Sequence, residues 1–272
     1  METLPFLIDF FNSTDVLLLI MVRVSAFMIF LPVLSSMGIP MQVRLFTAFV
    51  ISVAIFASGI VTTATYHDTP SGLIMLILIE FMAGATMGFV LSFVMNLLLF
   101  AGHFMDFSMG FAMVNVMDPV QQIQVPVMGN LLFMTVSVFL VLSGGLHEFL
   151  RVFFMSYELV PIGTALIIDN RELAWFLVVS FVGFVLLAIG IALPLVGTML
   201  IIDICLGIMV KAVPQMNVFV VGMPLKVLVG LFLVFIVILP SMGFIYDTVF
   251  DTALGMLVST IEGMMPLPPE VT

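Results

Sequence analysis

Long apolar runs alternate with short polar stretches along almost the whole chain. The runs cover residues 16–34, 45–64, 71–102, 126–146, 173–202 and 225–244. Each reaches roughly the 20 residues that an α-helix needs to cross a ~30 Å hydrocarbon core. Run 173–202 contains no charged residue and run 71–102 contains only Glu80, so both are longer than one crossing requires. The pattern predicts an all-α, polytopic membrane protein of long, bent helices and helical hairpins.

Composition agrees with a membrane environment, because 63% of the residues are hydrophobic and 8% are charged. The six basic residues are dispersed and cannot follow a phosphate backbone, so no nucleic-acid partner is expected. Lys and Arg are divided almost evenly between alternate connections, which leaves the membrane orientation open. The start, METLPFLIDFF, has neither a basic region nor a small-residue cleavage site, so a removable secretory signal is not expected.

Residues that carry chemistry are scarce. The sequence has no His-Glu-x-x-His, no Gly-x-Ser-x-Gly and no phosphate-binding Gly-Lys-Ser/Thr loop. His67, His103 and His147 lie far apart, and Cys205 is the single cysteine. We therefore predict no enzymatic activity, no cofactor and no metal site.

Two ionisable residues, Arg23 and Glu80, lie within apolar runs. Ionised groups are costly in a membrane, so these two are either functional groups or a buried charge pair between helices, and we favour the pair. Gly84, Gly88, Ser92 and Asn96 recur at every fourth position, which suits close helix packing within this chain or against another subunit.

The segment FMDFSMGFAMVNVMDPVQQIQVPVMG, residues 104–129, is too polar for lipid and too apolar for an ordinary loop. If it is helical, Met105, Met109, Met113 and Met117 form one stripe that ends at Asp118-Pro119, because the residue before proline avoids helical geometry. The stripe would then be ordinary helix packing. The glycine, proline and amide residues instead favour an irregular segment that is buried in protein or lines a water-filled cavity.

A second polar block follows the apolar run 173–202. Asp203 and Lys211 are eight residues apart, too far along one helix to touch, so each needs a partner elsewhere. Prolines are expected to limit the helices on either side of a turn whose amides satisfy exposed backbone groups. We predict a turn or subunit interface rather than a catalytic or ion site. Its residues are Asp203, Lys211, Pro214, Gln215, Asn217, Phe219, Pro224 and Lys226.

Three segments carry a resemblance to a known family. LPLVGTMLIIDICLGIMVKAVPQMNVFVVGMPLKVLVGL, residues 193–231, resembles the C-terminal signature of the FliR family of flagellar export-gate proteins and of its injectisome T counterparts. RVSAFMIFLPVLSSMGIPMQVRLFTAF (23–49) and MGFAMVNVMDP (109–119) resemble other blocks of that family, in the family's order. The resemblance covers nearly the whole chain.

The resemblance implies a P-like N-terminal part, 1–174, and a Q-like C-terminal hairpin, 175–272. One copy of the chain would join P-type and Q-type subunits and other export apparatus membrane proteins in the bacterial inner membrane, at the flagellar basal body. This helical gate would pass unfolded flagellar subunits. The segment at about 104–129 resembles the family's pore plug. Its residues here are Phe107, Met109, Gly110, Phe111, Met113, Asn115, Met117, Asp118 and Pro119.

Two alternatives stay open. An injectisome homologue would share the mechanism but export other substrates. A small-molecule secondary transporter would show an internal repeat with paired broken helices, and the sequence shows no convincing repeat.

Overall fold

The computed structural model describes residues 3–31, 39–59, 61, 70–111, 126–165, 170–213 and 218–265. Regular structure in these ranges is helical, because lipid requires each backbone polar group to be satisfied within its own segment. The helices are α1 (Thr3–Phe30), α2 (Met41–Ser58), α3 (Pro70–Met109), α4 (Val127–Leu142), α5 (Gly145–Leu159), α6 (Arg171–Ala212), α7 (Val218–Leu233) and α8 (Met242–Gly263). A π-helical turn, Val234–Ile238, extends α7.

Five of the described helices are long and apolar enough to span a membrane: α2, α3, α6, α7 with its π-helical turn, and α8. A sixth span results if α4 and α5, which are bent at the break between them, count as one broken span. These helices confirm the predicted all-α polytopic class. The predicted end of the apolar run 225–244 was wrong, because the helix is interrupted near Leu239 and α8 follows as a separate helix. The hydropathy pattern did not predict α8, because its mean hydropathy is lowered by Asp247, Asp251 and Glu262.

The chain divides into two compact units. The first takes Met1–Phe93, Gly144–Ser180 and Asp251–Thr272, and the second takes Val94–Ser143 and Phe181–Phe250. This division reflects which residues pack together, whereas the boundary predicted at 174/175 was based on the resemblance to the family. That boundary stays a prediction.

In the first unit, α1 buries one face. Ile20, Val24, Phe27 and Leu31 recur at helical spacing and are at most 1% exposed. The Phe27 ring stacks on Phe153 with centroids 4.3 Å apart, and α1 also packs against α2. The apolar face of α1 is therefore the centre of this unit.

The glycine stripe on α3 packs against α1. A Cβ at Gly84 would overlap the carbonyl oxygen of Arg23, and one at Gly88 would lie 2.7 Å from the carbonyl oxygen of Phe27. Only glycine allows the two helix backbones to approach so closely. At Gly84 and Gly88 the stripe serves packing within the chain, while Asn96, further along, is exposed.

In the second unit, the C-terminal half of α3 and the adjoining α4 supply buried faces. The residues on α3 are Leu98, Ala101, Met105 and Met109, and those on α4 are Met128, Leu132, Val136 and Leu140. Tyr246 of α8 stacks on Phe139 and Phe250, with ring centroids 5.8 and 5.5 Å apart, and its hydroxyl hydrogen-bonds Ser143.

The prediction that Pro224 limits a helix was wrong, because Pro224 lies inside α7. A proline at this position removes the hydrogen bond to the carbonyl of Val220. Val220 is 67% exposed, so the carbonyl that loses its donor is not trapped in the core of the chain.

Candidate functional site

The two ionisable residues of the apolar runs meet in the first unit. Arg23 and Glu80 are both 0% exposed. Arg23 Nε lies 2.5 Å from Glu80 Oε2, and Arg23 Nη2 lies 3.0 Å from Glu80 Oε1. This is the bidentate arrangement in which guanidinium and carboxylate bind most strongly.

Other groups complete this buried cluster. Arg23 Nη1 donates to the carbonyl oxygen of Val160 at 3.0 Å, at the end of α5, where carbonyls lack helical partners and favour a cation. The guanidinium carbon lies 4.5 Å from the centroid of the Tyr157 ring. The Gly163 N–H donates to Glu80 Oε1 at 2.8 Å. The charges thus find their partners inside the cluster, which joins α1, α3 and the end of α5.

In the second unit, α3 and α4 approach each other at a pair of glycines. A Cβ at Gly102 would overlap the backbone of Gly129. A Cβ at Gly129 would lie 2.9 Å from the carbonyl oxygen of Leu99. The backbones of α3 and α4 are therefore in direct contact at these two glycines.

We expect Gly102→Ala to lower the stability of the protein by about 1–3 kcal/mol, since the added methyl forces α3 and α4 apart. Gly190→Ala is the matched control, because a Cβ at Gly190 meets nothing within 4 Å in this chain. In a helix that control should be neutral or stabilising by up to about 1 kcal/mol. Thermal unfolding of the detergent-purified protein measures both, and equal effects would contradict the contact.

Asp106 lies one turn beyond this glycine contact. It is 7% exposed, and both of its carboxylate oxygens lie 3.2 Å from the backbone nitrogen of Met128. Met128 is the second residue of α4, where backbone N–H groups have no helical acceptor. Asp106 therefore caps α4 from a distant position in the sequence.

The helix α3 ends at Met109. Gly110 follows with φ of +87°, a left-handed conformation that glycine adopts without strain, and its N–H donates to the carbonyl of Phe107. The continuous helical methionine stripe is thus interrupted at Gly110, although Met105 and Met109 share a buried face. Phe107 points away from that face and is 76% exposed.

Met109 packs against α7. Its side chain occupies the space beside Gly230 that a Cβ would need, with Cγ 2.8 Å and Sδ 2.9 Å from that Cβ position. Met109 is 0% exposed. A notch at Gly230 therefore holds the last residue of α3.

The second polar block lies partly on α6 and α7. Asp203 of α6 forms an ion pair with Lys226 of α7, so its partner comes from the next helix. Lys211 lies in the last turn of α6 and is exposed. Pro214, Gln215 and Asn217 lie outside the described residues, as does the Phe219 side chain. The interface role of this block stays a prediction.

Five of the predicted plug residues also lie outside the part of the chain that the structure describes. These are Met113, Asn115, Met117, Asp118 and Pro119. Phe107, Met109, Gly110 and Phe111 are described, and they form the approach to that segment.

Sequence reasoning did not select Asp106, Gly102, Gly129, Gly163 or Gly230. Asp106 had a usable signal, since it is an acidic residue within the segment 104–129 at the end of an apolar run. The glycines had none, because their role depends on which helix lies opposite. In the described residues, no three or more His, Cys, Asp or Glu side chains are grouped to hold a metal ion.

Comparison with known proteins shows the family to which this chain belongs. The family model described as "Bacterial export proteins, family 1" matches residues 15–253. The chain belongs to this family of bacterial export proteins. As a family member with several long apolar helices, it is an integral membrane protein.

Relatives of this bacterial export protein match along most of its length. It is 27% identical to the flagellar biosynthetic protein FliR of Bacillus subtilis over 262 residues, 96% of this chain and 97% of that protein. It is 31% identical to FliR of Aquifex aeolicus over 217 residues, 79% and 82% of the two chains. It is also 28% identical to the Yop proteins translocation protein T of Yersinia pestis, over 76% of this chain and 80% of that protein.

Proposed function

We propose that this chain is a structural and gating subunit of the flagellar type III protein export channel in the bacterial inner membrane. The observation that carries the proposal is the near full-length match to proteins named for flagellar biosynthesis, within a family of bacterial export proteins. The polytopic helical architecture suits such a role. The subunit would form part of the conduit for unfolded flagellar proteins while doing no chemistry itself.

The long helices support partnership with other membrane subunits. Large apolar side chains are exposed along α6 and α7, including Leu193, Ile204, Leu228 and Phe232, each more than half exposed. Lipid covers such a surface only within the hydrocarbon core, and neighbouring protein must cover the rest. We infer that P-type and Q-type export gate subunits supply that cover. The block from Asp203 to Lys226 would contribute to those interfaces.

The end of α3 supports a gating role. The helix α3 is followed by a left-handed glycine, Gly110, and then by a segment with amides, prolines and methionines. Methionine is flexible and polarizable, so it can seal against whatever passes. Residues 107–119 would close the resting channel, and the export substrate would displace them.

Deleting the gene should abolish swimming motility and the secretion of hook and filament subunits, because no conduit forms. Expression of the intact chain from a plasmid should restore both. Immunoblots of culture supernatant measure the exported subunits, and total cell protein controls for their synthesis. A motile deletion strain would contradict the flagellar assignment.

The injectisome alternative rests on the Yersinia pestis relative, whose match covers 76% of this chain. The same deletion strain distinguishes it. Normal motility together with loss of secreted effector proteins would assign the chain to a virulence-type export apparatus.

A further inference from the structure

One face of α6 is apolar and open along most of the helix. Val182, Leu186, Ile189 and Leu193 recur at helical spacing, and each is at least 40% exposed. Only 22% of the most apolar window of this helix is buried inside the chain. The described part of the chain therefore leaves this face to be covered by something else.

The N-terminal end of this face carries the residues of a membrane–water boundary. Arg171 and Glu172 open α6, and both are exposed. Trp175 follows one turn after Arg171 and is 68% exposed. Tryptophan concentrates at the headgroup level of membranes, because its ring is apolar while its indole N–H needs a polar partner. Trp175 thus indicates where α6 enters the bilayer.

The next charged residue along α6 is Asp203, since residues 173–202 contain none. The Asp203 side chain is 51% exposed and forms an ion pair with Lys226 of α7, which is 20% exposed. Ionised groups are costly in the hydrocarbon core, whereas at headgroup level the flexible stem of a lysine lets its charge reach water. The pair therefore indicates a second boundary.

The distance between these two markers equals the thickness of a bilayer. From Trp175 to Asp203 the helix advances 28 residues, or about 42 Å at 1.5 Å per residue. A tilt of ~20° reduces this projection to about 40 Å. A bilayer with its headgroup regions is about 40–45 Å thick. Both markers can consequently lie at headgroup level at once, one in each leaflet.

Lipid explains this arrangement better than a protein neighbour along the whole face. A protein partner would not require a tryptophan and the next charges to stand one bilayer thickness apart. The helix α8 shows the contrast, because it is also long enough to span a membrane but exposes Asp247 and Asp251. Exposed carboxylates exclude lipid from that face of α8.

We propose that α6 crosses the bilayer between Trp175 and Asp203, with its open apolar face against lipid acyl chains. The Asp203–Lys226 pair and the residues that follow it on α6 lie outside the hydrocarbon core. Ile208, which is 65% exposed, then needs a protein neighbour. The inference rests on the membrane location of the chain and is independent of its export role, which the deletion strain tests separately.

Depth-dependent fluorescence quenching tests the first boundary. The complex purified through a tag on this chain is placed in phosphatidylcholine vesicles that contain lipid brominated either near the headgroup or deep in the acyl chains. Trp175 is the single tryptophan of the chain, so its signal is the difference between the parent complex and Trp175→Phe. Shallow bromine should reduce that signal about twofold, and more than deep bromine does, because the ring lies at headgroup level.

Two further probes are compared in the Trp175→Phe background. Leu186→Trp lies 11 residues further along α6, about 16 Å deeper, so deep bromine should quench it more than shallow bromine does. Ile208→Trp is the matched control, since Ile208 and Leu186 are 65% and 64% exposed but Ile208 lies beyond Asp203. Neither lipid should quench it. An unquenched Leu186→Trp would show that protein covers the face, and equal quenching at both positions would remove the boundary at Asp203. Either result overturns the proposal.

A second measurement needs no added tryptophan. In a Cys205→Ser background, a nitroxide label on Leu193→Cys should collide with dissolved oxygen far more often than with a water-soluble nickel chelate, because oxygen concentrates in hydrocarbon. Leu193 is 60% exposed, so the label is tolerated without displacing a core residue. The same label on Ile208→Cys should not show the excess of oxygen collisions. An excess at both positions, or at neither, would contradict the proposed crossing.

Discussion

Arg23→Met is expected to lower the free energy of unfolding by about 3–5 kcal/mol. Much less folded protein should then accumulate in the membrane. The substitution leaves Glu80, which is 0% exposed, as an unpaired buried charge. It also leaves the carbonyl of Val160 without its donor. Steady-state protein in isolated membranes and thermal unfolding in detergent both report the loss.

Arg151→Met is the matched control. Arg151 pairs with Glu148 at 3.7 Å, but its side chain is 69% exposed, so the change should cost less than about 1 kcal/mol. The double variant Arg23→Met with Glu80→Leu removes both charges and should recover part of the loss. Recovery stays incomplete because the Gly163 N–H loses its acceptor, which costs about 1–3 kcal/mol. Similar losses for Arg23→Met and Arg151→Met would refute the stabilising role of the cluster.

Deleting residues 111–119 is expected to convert the assembled complex from electrically silent to continuously conducting. The cut begins after Gly110, so α3 keeps Met109 in its notch and Asp106 on α4. Assembly should therefore survive while the proposed plug is lost. Potassium conductance in planar bilayers and entry of small solutes into intact cells measure the leak.

A glycine-serine segment of equal length in place of residues 111–119 is the control for chain length. It should conduct almost as well as the deletion, since the seal depends on bulky flexible side chains rather than on the chain alone. Assembled complexes that lack the segment and still show the closed conductance level would rule out a plug.

Helix formation could be predicted wherever apolar residues dominate, because the bilayer leaves the backbone few alternatives. The helix α8 escaped that reasoning. Its acidic residues lower the mean hydropathy, although Val249, Ala253 and Leu257 form a buried face at helical spacing. A search for periodicity, rather than for mean hydropathy, would have found it.

The site was less accessible to sequence reasoning because its contacts join residues far apart in the chain. Arg23 and Glu80 were recognisable as candidates for a pair, since an ionised group in an apolar run needs a partner. Nothing in the sequence connects Met109 with Gly230, 121 positions later, because a notch exists only when two helices have been packed. Gly163 likewise gains its role from a turn whose N–H happens to face Glu80.

The lengths of α3 and α6 set a limit on how the cell can make this protein. At 40 and 42 residues they measure about 60 Å each, and fitting either into a ~30 Å hydrocarbon core would need a tilt of roughly 60°, beyond the range that membrane helices adopt. A newly inserted copy therefore holds apolar surface that the bilayer cannot dissolve. We therefore expect surplus copies to be degraded or to aggregate, so that synthesis of this subunit is matched to the supply of the chains that cover it.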